Sequence, residues 1–153
     1  MQGNYYLQRF VDAQAGVIES ARAELRQGRK TGHWMWFIFP QLKGLGYSSM
    51  AQYYGIASLA EAESYLEHPL LGPRLLGCTR LVNLIEGRSL RQIFGTPDDL
   101  KFRSSMTLFA QATSENASFI EATEKYCGGN FDQATLDQLG SNRGFGRGES
   151  VGR

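Results

Sequence analysis

A chain of 153 residues, 42% hydrophobic and 20% charged, has the size of one folded domain, able to bury about two-thirds of its unfolded surface. Two histidines, two well-separated cysteines (Cys78 and Cys127) and no basic, apolar leader exclude a disulfide scaffold, argue against a clustered metal site and point to a reducing cytoplasm. Net charge is +1, and Arg143, Arg147 and Arg153 against Glu149 in the tail leave the body slightly acidic, with no electrostatic footprint for nucleic acid.

Leu7, Phe10, Val11, Val17, Ile18, Ala21 and Leu25 recur at three- and four-residue spacing and predict one amphipathic first helix. Arg9, Glu19, Arg22 and Arg26 form its wetted face, and Gly28 is its left-handed stop. The next stretch, GHWMWFIFPQLKGLGYSS from Gly32 to Ser49, holds both tryptophans and one of the two histidines, so the core is expected to form around it. Its run Trp34–Phe39 is too short to span a membrane and too apolar for a surface loop. We read it as a short buried helix ended by Pro40, with a strand as the other reading, and expect Trp34 and Trp36 to face the core. Gly44 and Gly46 then mark a turn; Gly44-Leu45-Gly46 lacks the further glycine and the Lys-Ser pair of a phosphate-binding loop.

Ser48 or Ser49 caps a short helix with Met50, Tyr53 and Tyr54, and Ser58 with Glu61 opens another through Leu59, Ala62, Tyr65 and Leu66. His68 is expected to cap the C-terminal end of that helix. Between Pro69 and Pro73 a helix begins whose Leu75, Leu76, Cys78, Leu81, Val82, Leu84 and Ile85 are apolar almost all round, which predicts the central buried helix, closed by Gly87. Ser89 with Gln92 starts a short turn stopped by Gly95. Thr96-Pro97-Asp98-Asp99 is the strongest helix start: a cap, a proline for the first helical position and two acids near the positive end of the dipole. Phe102, Met106 and Phe109 face the core from it. A further helix spans about Glu115 to Tyr126, and Asp132 caps a last one through Leu136 and Leu139.

The segments LQRFVDAQ, GHWMWFIFPQLKGLGYSSMAQYY, EAESYLEHPLLGPRL, IFGTPDDLKFRSSMTLFA and GGNFDQATLDQLG occur in one order, from about Tyr5 to Gly140. They resemble the DUF1810 family, bacterial proteins of unknown function, some of which carry the label calpastatin, a label nothing in this sequence supports. The resemblance implies a mainly helical fold with a surface groove and no established activity, so no catalytic residue follows from it. The expectation is an all-α, single compact multihelical domain over residues 1–140 with such a groove, followed by a disordered Gly/Arg-rich tail over 141–153.

Candidate chemistry gathers on the helix opened by Pro97. Asp98, Lys101 and Ser105 follow at three and four residues with Ser104 beside them, so acid, ammonium and hydroxyls share one side. In the plainer reading Asp98 and Lys101 are a wetted surface pair. In the functional one, Lys101, Arg103, Ser104 and Ser105 form an anion site against the aromatic stretch, with His33, Trp34 and Trp36 contributing, and with Arg103 facing partly away. A Ser–Lys nucleophilic pair has its order reversed relative to the helical Ser-x-x-Lys arrangement. No metal and no cofactor are expected. Three functions follow: binding of an anionic small molecule such as a nucleotide or an ADP-ribose-like ligand, a protein-interaction module without catalysis, or an N-glycosidase-like hydrolase acting on ADP-ribose conjugates. The last rests on a resemblance in the spacing of EAESYLEHPLLGPRL and LKFRSSMTLF, without a match to the acidic catalytic residues. Nucleic-acid binding through the tail ranks below all three.

Overall fold

The structure, a computed structural model, describes residues 5–142, and the tail read as disordered lies, beyond Asn142, outside the described residues. The described residues form α1 (Gln8–Ala15), α2 (Ile18–Gln27), α3 (Met35–Ile38), a 3-10 turn (Lys43–Leu45), α4 (Ser49–Tyr54), α5 (Leu59–Glu67) and α6 (Leu71–Leu84). They continue with α7 (Leu90–Phe94), α8 (Asp98–Ala112), α9 (Ala117–Cys127) and α10 (Gln133–Asn142). Extended pairing is limited, among these residues, to one parallel bridge between Leu42 and Ile56.

The long first helix is two. The chain breaks at Gly16, between α1 and α2, and each piece turns its own apolar stripe inward, with Phe10, Ala21 and Leu25 fully buried. Gly28 closes α2 at φ 79°, the left-handed conformation that favours glycine. Arg9 is not on a wetted face: it is 8% exposed, and its guanidinium donates to Glu61 Oε2 at 2.9 Å, to Tyr53 O at 2.8 Å and to Gly55 O at 3.1 Å. A buried charge has to be paired and hydrogen-bonded, and α4, the loop after it and α5 supply these three partners.

The Trp34–Phe39 run is a short helix, α3, and five of its six residues are buried in the common core. Trp34 is 2% exposed and Trp36, partly buried, packs against the same core, so both tryptophans face it and Trp36 keeps part of its ring open. Helix α6 is not the central one. Leu84 is 74% exposed at its end and Arg80 faces solvent, while α8 buries every residue from Ser104 to Ala110 and packs against α3, α5, α7, α9 and α10. The polar letters of α8 conceal this burial, because Ser104 and Thr107 return their hydroxyl protons to Leu100 O and Arg103 O, one turn back, at 3.1 and 2.8 Å.

One expected cap also moves. α8 begins at Asp98, with Pro97 rather than Thr96 at the capping position and a cis Thr96–Pro97 bond before it. His68 does stand at the C-terminal cap of α5, its N–H donating to Tyr65 O at 3.2 Å, and its ring also serves the following helix: Nδ1 accepts from Leu70 N and Leu71 N at 3.1 and 3.3 Å, at the start of α6. The remaining starts are as read, except that Glu61 reaches back to Ala57 N rather than to Ser58 N, so the box at α5 is formed on one side only. Ser48 and Ser58 accept from Ala51 N and Glu61 N, Ser89 and Gln92 make the full reciprocal box, and Asp132 accepts from Thr135 N at the head of α10.

Candidate functional site

The first turn of α8 meets the loop after α2 through one carboxylate. Asp98 Oδ2 lies 2.9 Å from Lys30 Nζ, and its Oδ1 lies 3.4 Å from Lys101 Nζ. Lys30 is the inner partner: its side chain is 8% exposed, it donates to Gly32 O at 2.6 Å, and its ammonium lies 5.2 Å from the centre of the Trp34 ring. Lys101 is the outer one, 23% exposed, with its ammonium 5.0 Å from the centre of the Trp36 ring. Two cations share one anion, so the cluster keeps a positive charge where Lys101 emerges, over an aromatic face that attracts cations.

Behind Lys101, the side chains of Met35, Trp36, Phe39 and Tyr54 enclose a cleft of about 10 Å³, room for roughly one water. Gln41, Ala51 and Lys101 line both this cleft and an adjoining pocket of about 440 Å³. Leu45, Gly46, Tyr47 and Ser48 form one wall of that pocket; Pro97, Leu100, Ser104, Asp132 and Ala134 form the other. Backbone packing sets the first wall. Lys43 N and Ile56 N donate to Ile56 O and Gln41 O, both at 2.9 Å, which pins the 41–46 loop to the segment after α4. Gly46 passes so near α4 that a Cβ there would stand 2.6 Å from Ala51 Cβ, and a Cβ on Gly55 would collide with the Lys43 backbone.

Asp132 holds the opposite wall. Its Oδ2 accepts from Thr135 Oγ1 at 2.6 Å and Thr135 N at 3.0 Å and shares the single Ser104 hydroxyl proton with Leu100 O, at 3.2 Å from Ser104 Oγ, and its own N–H donates to Thr107 Oγ1 at 2.9 Å. Its Oδ1 accepts no hydrogen bond from the described residues. The loop bearing the tryptophans is held by Glu24, whose Oε1 accepts from Thr31 N, Gly32 N and Trp34 Nε1 at 2.8, 2.9 and 2.9 Å. Burial pushes the Glu24 carboxyl up, but these amides and the indole outweigh it and hold it below the usual carboxylate range.

The structure divides the residues singled out from the sequence. Lys101, Trp36 and Ser104 meet around the cleft and pocket. Trp34 lies behind them in the core, and His33 is exposed on the loop and lines neither space. Arg103 faces another way and is engaged, its Nε donating to Asn130 O and its Nη2 to Phe131 O, both at 3.0 Å. Ser105 is fully buried with its hydroxyl unpartnered among the described residues. Three groups escaped sequence reading. Gln41 and Lys30 have no local signal, and Asp132 was recognisable only as a cap, which left its second oxygen unassigned. Among the described residues no three His, Cys, Asp or Glu side chains gather closely enough to hold a metal ion, and no helix is long and apolar enough to cross a membrane.

A family model described as "Protein of unknown function (DUF1810)" matches residues 4–139. No curated protein matches the chain. Among solved structures, the chain is similar to the conserved hypothetical protein Rv1873 from Mycobacterium tuberculosis, solved at 1.38 Å, with 58% identity and a TM-score of 0.88 over 90% of this chain and 98% of that one.

Proposed function

This chain belongs to the DUF1810 family, proteins of unknown function, so no activity is inherited and the reading has to come from the pocket itself: we propose that it binds an anionic small molecule between Lys101, Trp36 and the 41–48 loop. The observation that carries the reading is the shared carboxylate. Asp98 is closer to Lys30 than to Lys101, 2.9 against 3.4 Å, so the outer ammonium keeps charge to give to a ligand. Gln41 adds a side-chain amide, unpartnered among the described residues, and the Trp36 and Tyr54 rings add an apolar wall. Ammonium, amide and aromatic surface together suit a phosphate attached to a ring.

A ligand that binds only the folded state raises its stability by about 2.7 kcal/mol at a hundred times its dissociation constant, so a thermal-shift series of nucleotides, ADP-ribose and sugar phosphates is the test. Lys101→Ala should abolish the shift while moving the unliganded midpoint little, since its ion pair is partly solvated. A series without a shift, or shifts indifferent to Lys101→Ala, overturns the reading. A protein-interaction surface has one observation of its own: Tyr47 and Leu100, on the rim of the pocket, are 92% and 58% exposed. In that case Tyr47→Ala with Leu100→Ala, and not Lys101→Ala, would weaken capture of a partner.

A further inference from the structure

We infer that the anion in this pocket is carried by a sugar, with Lys101 holding a phosphate and Asp132 Oδ1 accepting from the sugar's hydroxyls; the inference rests on the anion-binding reading above. Asp132 is the reason. A carboxylate with no cation among its partners is an odd neighbour for a bare anion, because an ionised carboxylate only accepts hydrogen bonds and repels negative charge. Its presence in the same pocket as Lys101 requires a ligand that offers donors beside its charge. Hydroxyls on a ring bearing a phosphate meet both demands.

The geometry is prepared for that ligand. Three hydrogen bonds, that from Ser104 shared with Leu100 O, take up Oδ2 and leave Oδ1 without one, and the residue that supplies two of them, Thr135, is 0% exposed, so the carboxylate cannot swing away to solvent cheaply. Lys101 and Ser104 are three residues apart on α8, about 5–6 Å between Cβ atoms, and Ser104 Oγ touches Asp132 at 3.2 Å. The ammonium, which reaches back toward Asp98, and the carboxylate line one pocket of about 440 Å³, with room between them for the phosphate and ring of a pentose phosphate. Gln41 and Ser48 line the same pocket, placing further polar groups around the ring.

The experiment compares ribose 5-phosphate with butyl phosphate, which keeps the charge and lacks the hydroxyls, by titration calorimetry on the full chain. Native protein should prefer the sugar by about tenfold or more, the ratio expected for one hydrogen bond to a charged acceptor. Asp132→Asn keeps a good helix cap, since the amide oxygen can take over the Thr135 bonds while the amide nitrogen replaces Oδ1, a donor where an acceptor stood. That variant should lose the preference yet still bind butyl phosphate; Lys101→Ala should lose both ligands. Equal affinity of the native protein for the two phosphates, a measurement that needs no variant, overturns the sugar inference and leaves anion binding standing. An unchanged ratio in a folded Asp132→Asn does the same. Binding of neither phosphate, or binding of both unaltered by Lys101→Ala, removes the anion reading as well.

Discussion

Arg9 and Glu61 join the N-terminal helix to α5 through a pair whose side chains are 9% and 3% exposed. Glu61 Oε1 also accepts from Ala57 N at 2.8 Å, so both ends of the pair hold backbone as well as each other. Removing one partner leaves the other charge buried without its counterion, which costs about 3–5 kcal/mol. Glu61→Ala should show a loss of that order in urea unfolding, and a change below about 1 kcal/mol would mean that the guanidinium finds water instead. The tryptophans supply a second residue-scale contrast. Trp34→Ala should destabilise by about 3–5 kcal/mol, because it empties a buried site and leaves Glu24 one donor short. Trp36→Ala should cost clearly less, since one side of its ring already faces the cleft. Comparable losses for the two would mean that the open side of the Trp36 ring matters little to its packing. Cys78, whose thiol burial pushes up to about 11, should resist alkylation in the native state at pH 8.

Among the elements, α7 is short and depends on its ends. Ser89 Oγ accepts from Gln92 N at 3.2 Å, and Gln92 Oε1 accepts from Ser89 N at 2.8 Å. Ser89→Ala should cost about 1 kcal/mol, with faster amide exchange confined to the start of α7. The loop from Thr31 to Trp34 is tied to α2 by Glu24, and that tie is pH-dependent. Its folded carboxyl sits below the unfolded value of about 4.3, so its contribution is fully present above that pH and is lost as pH falls through the folded value. Glu24 is only partly buried, which keeps the effect modest. The stability gap between native protein and Glu24→Gln should therefore be open at pH 7 and narrow toward pH 3; a gap constant over that range would remove the charge from the account.

At the scale of the molecule, one apolar cluster runs without interruption from Phe10 on α1 to Leu139 on α10. A single core predicts cooperative unfolding, so helix loss by far-ultraviolet circular dichroism and tryptophan exposure by fluorescence should share one midpoint; two separated midpoints would show that part of the bundle unfolds alone. The sequence by itself determined the helical class and most helix limits, because those depend on local matters: three- and four-residue apolar spacing, serine and aspartate caps, and glycines such as Gly28 and Gly128 that accept left-handed backbone. Part of the candidate site was legible for the same reason, since Asp98 and Lys101 stand three residues apart on one helix, with Ser104 beside the face they share; Ser105, placed on that face by the same spacing, is buried instead. What pairs across the chain was not. Arg9 reads as a surface arginine until α5 supplies Glu61, and Asp98 reads as the partner of Lys101 until the loop after α2 brings Lys30 closer. Nor could α8 be recognised as the innermost helix while its hydroxyls looked solvated. Only the tertiary structure decided these points, because burial of a polar group depends on a hydrogen-bond partner that another segment has to deliver.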